Sequence, residues 1–269
     1  MSNLLTVNNL TLATADKVLV EVLSFSIAHG ERFGLIGESG SGKSLTSLAI
    51  LGLLPPAIRP MGSITLEGEE IVGAPERLLG GLRGSVVASV FQEPLTALDP
   101  LMPLGRQIAG PVRRRLQREG RDRDRATVKG EVHDLLDQVR LPDPKRLYGS
   151  YPHEVSGGQR QRVAIAMGLA CQPRLLIADE PTTALDVTTQ VEIIRLINTL
   201  VEELDIALLF ISHDLAVVGQ VAERVMVMRH GRAIETGDTQ QVLTRPQDDY
   251  TRNLVTAARR FDDALEGQK

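Results

Sequence analysis

Residues 32–54 constrain the fold of this chain more tightly than any other stretch. Arg32 to Ile36, "RFGLI", is short and apolar and reads as a strand, while Lys43 to Leu54 reads as a helix start. Between them stands Gly37-Glu38-Ser39-Gly40-Ser41-Gly42-Lys43-Ser44, a GxxxxGKS run. A strand that passes through a glycine-rich turn into a helix points backbone N–H groups and a helix N-terminus at one place, which is the geometry of a phosphate cradle. Lys43 would neutralise the charge of β- and γ-phosphates, and Ser44 would give a hydroxyl to the magnesium that accompanies ATP. The candidate nucleotide contacts run on to Leu45.

The remaining text is consistent with one α/β domain. Residues 3–36 alternate apolar and polar positions and predict antiparallel strands before the loop, with a further strand and turn in "GSITLEGEEI". Leu104 to Val139 has helical periodicity around Gly120 and predicts an inserted helical lobe, about 95–165. After Gly158 the pattern alternates: helix to Leu169, strand 175–178, helix 188–203, strand 207–211, helix from Asp214, strand 224–228. That order predicts a largely parallel sheet buried on both faces. From Thr239 the chain reads as short helices and a charged tail, about 239–269. At 269 residues there is room for a single domain with an inserted lobe, not for two complete ATPase modules.

Several function classes are disfavoured. The net charge of −4 gives no general attraction to nucleic acid or anionic lipid. Arginines at 113, 114, 115, 118, 121, 123 and 125 are interrupted by Glu119, Asp122 and Asp124, and no aromatic residue lies between Phe91 and Tyr148 to stack on bases. They read as a solvated helical face, and no nucleic-acid partner is expected. The longest apolar stretch, 48–58, is broken by Pro55-Pro56 and is too short to span a membrane. The N-terminus lacks the pattern of a secretory signal, so a cytoplasmic location is expected. Cys171, the only cysteine, reads as core filling, and the histidines at 29, 133, 153 and 230 have no metal-ligand spacing.

Further motifs complete a hydrolytic set. "LLIADE" places Asp179 at a strand end, where it can reach magnesium, and Glu180 one residue on, where it can act as general base on water. Gln92, after the apolar "VVASVF", has an amide suited to magnesium or to the water. His213, at the end of "LLFISHD", can hold the γ-phosphate. Ser156-Gly157-Gly158-Gln159 opens a helix and forms a second anion-binding surface, although one loop already takes the triphosphate. That surplus makes sense if a second subunit's ATP docks there, in a head-to-tail two-fold sandwich with Asp186 at the junction. Closure would assemble the site and hydrolysis would open it.

Taken together, "GESGSGKS", "FQEP", "VSGGQRQR", "LLIADEPTTALD" and "ISHD" resemble the motifs of the ATP-binding cassette (ABC) transport ATPases over about Leu5 to Leu254. The resemblance implies a P-loop NTPase core of ABC type with an N-terminal antiparallel β subdomain and an inserted α-helical subdomain. It implies ATP contacts at Gly37 to Leu45, magnesium contacts at Ser44, Gln92 and Asp179, catalysis by Glu180 with His213, Gln92 and Lys43, and trans contacts from Ser156, Gly157, Gly158, Gln159 and Asp186. Val155 stands where the signature normally opens with leucine. No aromatic residue precedes Phe25, so adenine would rest on aliphatic residues near Ala13 to Val18. "GLLPP", "FQEPLTALDPLMPLGRQI", "YPHEVSGGQRQRVAIAMGLA" and "DDYTRNLV" resemble the branch serving oligopeptide, dipeptide and nickel importers. That branch implies two integral-membrane permeases, a second related ATPase or a second copy of this chain, and an extracytoplasmic solute-binding protein. The ATPase would then sit on the cytoplasmic face of the inner membrane and meet its permeases around Gln92 to Leu101. An exporter or lipoprotein-extraction ATPase, and a soluble cassette acting on ribosome or DNA, are the alternatives.

Overall fold

The computed structural model describes residues 3–91, 97–183 and 185–266, the last eight of them by backbone alone. The chain forms two compact units, one from Met1–Leu79 with Ala207–Lys269, the other from Gly80–Ile206.

The first unit contains two sheets. β1 (Asn3–Ala13) pairs antiparallel with β2 (Val18–Ala28) and, on its other side, with β4 (Arg59–Leu66), which carries the two-residue β5 (Glu69–Glu70). This is the N-terminal antiparallel layer that the period-2 pattern predicts. The other sheet has β3 (Arg32–Ile36) at its centre, parallel to β8 (Ala207–Ser212) on one side and to β9 (Arg224–Arg229) on the other. Its edge is β10 (Arg232–Asp238), antiparallel to β9. The sequence pattern does not anticipate β10. Its residues "RAIETGD" are exposed or half-exposed, with none buried, and lack β-branched density, and the hairpin with β9 rather than local preference makes the strand.

Phe33 of β3 is fully buried and stacks on Phe25 of β2 with ring centroids 5.2 Å apart. Gly34 is needed at the next position, because a Cβ there would lie 2.3 Å from Val218 Cγ1. α1 (Lys43–Ile50) follows the glycine loop and is shorter than the expected 43–54. Gly52 turns left-handed at φ 64; its N–H bonds Ala49 O and the Leu53 N–H bonds Leu48 O, a Schellman stop four residues early.

The second unit begins within α2 (Glu76–Leu82) and contains the parallel pair β6 (Val87–Val90) and β7 (Leu175–Asp179). Its helices are α3 (Leu104–Arg118), α4 (Arg125–Gln138), α5 (Pro144–Gly149), α6 (Gly157–Leu169) and α7 (Val187–Glu203). α3 and α4 break around Gly120 as the periodicity predicts; Asp124 caps α4 by accepting from the Thr127 N–H. The arginine run is not uniformly a solvated face. Arg115 is 3% exposed and pairs with Glu131, and Arg118 donates to the Cys171 carbonyl at 2.8 Å. Cys171 is buried against the Pro111 carbonyl, as core filling.

The chain returns to the first unit through β8 and α8 (Leu215–Gly219), and after β10 ends in α9 (Thr239–Thr244) and α10 (Asp249–Glu266). α10 is a helix of 18 residues where only short helices are expected. Among the described residues no helix is long and apolar enough to cross a membrane.

Candidate functional site

The glycine loop leaves β3 at Gly37 and enters α1 at Lys43. A side chain at Gly37 would meet Met228 O at 2.2 Å and Ser41 Oγ at 2.7 Å, so the loop lies directly on the β9 backbone. Gly40 and Gly42 take left-handed conformations, φ 79 and φ 101, which glycine alone adopts without strain. The β9–β10 turn braces the loop from the side: Gly231 N–H donates to Ser41 O at 3.1 Å, and Gly231 O accepts from Glu21 N–H at 2.8 Å.

Lys43 is 4% exposed, and its ammonium donates to Gly37 O at 2.6 Å and Glu38 O at 3.0 Å. The loop therefore closes around its own cation. No side chain caps α1, whose N-cap is Gly42, so the first-turn N–H groups are presented to whatever occupies the loop. Close-packed glycines, a buried ammonium and an uncapped helix start fit a phosphate group. Ser39, Gly40 and Ser44 are exposed at this face, Glu38 is exposed, and Leu45 is half-buried.

His213 also belongs to the first unit and is exposed immediately after β8. Its neighbours fix its backbone. Asp214 N–H donates to Ser212 Oγ at 3.0 Å, and the Asp214 carboxylate caps α8 through Ala216 N–H at 2.9 Å.

The second unit holds the other candidates. Asp179 ends β7 and is 6% exposed. Glu180 follows with φ 48, a left-handed conformation that costs a non-glycine residue roughly 1–2 kcal/mol and is typical of strained functional positions. Its Oε2 accepts from Thr183 Oγ1 at 2.9 Å.

Ser156 caps α6 in a reciprocal box: Ser156 Oγ accepts from Gln159 N–H at 3.2 Å, and Gln159 Oε1 accepts from Ser156 N–H at 3.0 Å. A Cβ at Gly158 would lie 2.6 Å from Thr189 Cγ2, while one at Gly157 would meet only ordinary contact, 3.6 Å from Leu185. Asp186 caps α7 through Thr189, accepting its N–H at 3.0 Å and its hydroxyl at 2.6 Å. These bonds hold the Asp186 carboxyl below the usual carboxylate range, first through the Thr189 hydroxyl and then through its N–H. Thr189 thus joins the Gly158 turn to Asp186 within one chain.

The first unit gathers Gly37 to Leu45 and His213; the second gathers Ser156 to Gln159, Asp179, Glu180 and Asp186. Gln92 lies outside the described residues. Two residues with direct roles here lie inside quoted motifs that assign them none: Thr183, within "LLIADEPTTALD", holds Glu180, and Tyr250, within "DDYTRNLV", bonds the loop. For Thr183 the available signal is its place three residues beyond the glutamate, a spacing at which a hydroxyl can reach back across a turn.

The family model described as ABC transporter matches residues 20–183. The chain belongs to the ABC transporter family. Oligopeptide transport ATP-binding protein OppD of Haemophilus influenzae is 42% identical over 266 residues, covering 97% of this chain and 81% of that protein. Glutathione import ATP-binding protein GsiA of Pectobacterium atrosepticum is 44% identical over 249 residues, covering 88% of this chain; the chain spans only 38% of that protein's length. Among solved structures, the dimeric post-hydrolysis ATP-binding cassette MJ0796 bound to ADP and Pi superposes with a TM-score of 0.75 at 25% identity, over 87% of this chain and 98% of that one. The fold is accordingly the α/β P-loop ATPase fold of ABC proteins, with its N-terminal β layer and helical insertions.

Proposed function

We propose that this chain is the ATP-binding and ATP-hydrolysing subunit of a membrane importer for peptides or a related small solute such as nickel. The observation that carries the reading is the buried Lys43 ammonium clasped by Gly37 O and Glu38 O at the uncapped start of α1, a positive point fixed where a triphosphate would lie. Relatives named for oligopeptide transport and glutathione import support the importer branch.

In this reading the loop N–H groups from Ser39 to Ser44 and the Lys43 ammonium bind and orient the phosphates, and Gly37, Glu38 and Leu45 complete the nucleotide contacts. The Ser44 hydroxyl, the Asp179 carboxylate and Gln92 would hold magnesium. Magnesium, when bound there, would neutralise phosphate charge. Glu180 takes the proton from the attacking water, Thr183 keeps its carboxylate oriented, and His213 holds the γ-phosphate side. Adenine rests on aliphatic residues near Ala13 to Val18, of which Val18 is 49% exposed. Ser156, Gly157, Gly158, Gln159 and Asp186 contact the nucleotide of a partner ATPase in a two-fold sandwich.

The helical lobe, about 95–165, and the segment up to Leu101 dock the permeases. Leu101 is 86% exposed, on a turn fixed by Gln107, whose amide donates to Asp99 O at 2.9 Å and Met102 O at 2.7 Å.

Affinity capture of the tagged chain from native membranes in mild detergent, with identification of partners and an ATPase assay, tests the reading. Two permeases, a second cassette subunit and a solute-binding protein are expected; soluble partners alone, with full ATPase activity, would overturn it.

A further inference from the structure

The C-terminal helix reaches back to the glycine loop. Tyr250, the second residue of α10, is 8% exposed, and its phenolic oxygen accepts the Glu38 N–H at 3.3 Å. That N–H belongs to the same peptide unit as the Gly37 carbonyl, which accepts from the Lys43 ammonium at 2.6 Å. One peptide plane is therefore held from both sides, by the loop's own lysine on its oxygen and by the tyrosine on its nitrogen. The two bonds reinforce one another, because an N–H that donates makes its carbonyl a stronger acceptor.

Tyr250 is itself fixed in place. The Arg229 guanidinium lies over its ring at 4.7 Å from the centroid. The Glu235 carboxylate on β10 accepts from Gln247 N–H at 2.8 Å and Asp248 N–H at 3.1 Å, and Asp248 Oδ1 accepts from Tyr250 N–H at 2.8 Å. The start of α10 is thereby pinned to the edge strand whose hairpin braces the same loop. Burial raises the phenol above its ordinary value against the opposing Glu38 N–H bond, so the group stays neutral near pH 7.

We infer that Tyr250 is a positioning residue for the phosphate loop, holding the Gly37–Glu38 peptide plane and with it the Lys43 ammonium in the orientation that receives nucleotide. The inference rests on the reading of this loop as the ATP site. It has a reciprocal consequence: if an ordered α10 favours nucleotide binding, nucleotide must order α10 by the same factor.

The test uses the full chain as wild type, Tyr250→Phe and Lys43→Ala, with Mg–ADP as ligand. Calorimetry measures affinity, hydrogen exchange follows residues 249–258 with and without ligand, and thermal unfolding monitors the ligand-free fold. Phenylalanine keeps the ring under Arg229 and removes the hydroxyl, both as acceptor of the Glu38 N–H and as partner of the Glu38 side chain. The dissociation constant is expected to rise about 3- to 10-fold, at most the worth of one hydrogen bond, and because that bond is already made without ligand the ligand-free fold is expected to lose no more than the same amount. Mg–ADP is expected to protect 249–258 in wild type and to lose most of that effect in Tyr250→Phe. Equal affinities of wild type and Tyr250→Phe, or wild-type 249–258 exchange indifferent to bound ADP, would overturn the inference while leaving the ATP site standing. The exchange result on wild type needs no variant to fold. Wild type that binds ADP no better than Lys43→Ala would instead remove the underlying nucleotide reading and this inference with it.

Discussion

Replacing Gly42 by alanine puts the loop geometry to a quantitative test. Two separable penalties follow from the structure. Gly42 has φ 101, beyond the small left-handed region open to L-residues, which costs an alanine roughly 1–2 kcal/mol. The new Cβ would also lie 2.7 Å from Val20 Cγ2, well inside the roughly 3.5–4.0 Å of good carbon contact. Val20 is fully buried and cannot swing into solvent, so overpacking adds about 1–3 kcal/mol. The total, about 2–5 kcal/mol, is a large share of a typical domain's stability. Gly40→Ala is the internal control: it has φ 79 but nothing within 4 Å of its Cβ, so only the conformational penalty applies. Urea unfolding of the nucleotide-free chain measures both through the midpoint at constant slope. Repeating Gly42→Ala in a Val20→Ala background should recover the steric part, a coupling of about 1–3 kcal/mol. Equal costs for the two glycines in wild type, or strict additivity with Val20→Ala, would refute the argument that β2 packs against the loop at Gly42.

Glu180→Gln should bind nucleotide as wild type does while phosphate release falls by about 10²- to 10⁴-fold; rapid turnover by this variant would exclude Glu180 as the base. Cys171 should be inert to thiol reagents near neutral pH until the chain is unfolded, because burial raises its pKa above the ordinary value of 9.0 against the charges of Arg118, Arg114 and Arg115. A folded pKa above the unfolded one means that the thiol's contribution to stability is complete below about pH 9 and lost as pH rises through the raised value, which alkaline unfolding series of wild type and Cys171→Ala would resolve. Gly105→Ala should destabilise by about 1–3 kcal/mol or more, since its Cβ would lie 2.3 Å from the Tyr148 ring, while Gly130→Ala in open space on α4 should stabilise by about 0.5–1 kcal/mol. Thermal unfolding compares the two; a cost at Gly130 matching that at Gly105 would count against the packing described for α3.

Much of this protein is legible in its local chemistry. The glycine loop can be read because strand, turn and helix start are consecutive in sequence, and each demand falls on a residue within about ten positions. Ser156-Gly157-Gly158-Gln159 is legible for the same reason, since its box closes over three residues. The length of α1 is not, because a Schellman stop at Gly52 depends on where the chain must turn back. The long arginine run misleads in one respect. Helical periodicity gives a face but not what packs on it, and Arg115 is buried by α4 through Glu131, 16 residues away.

The sequence by itself determined the α/β class and the family, and marked the phosphate loop and the candidate base and magnesium positions, because those depend on short-range spacing and residue chemistry. Tertiary structure alone decided that β10 is a strand, that Thr189 links the Gly158 turn to Asp186, and that Tyr250 reaches Glu38 across 212 residues. Such contacts arise only once the hydrophobic effect has brought distant segments together, and nothing in the local pattern around Tyr250 specifies which backbone N–H its hydroxyl will meet.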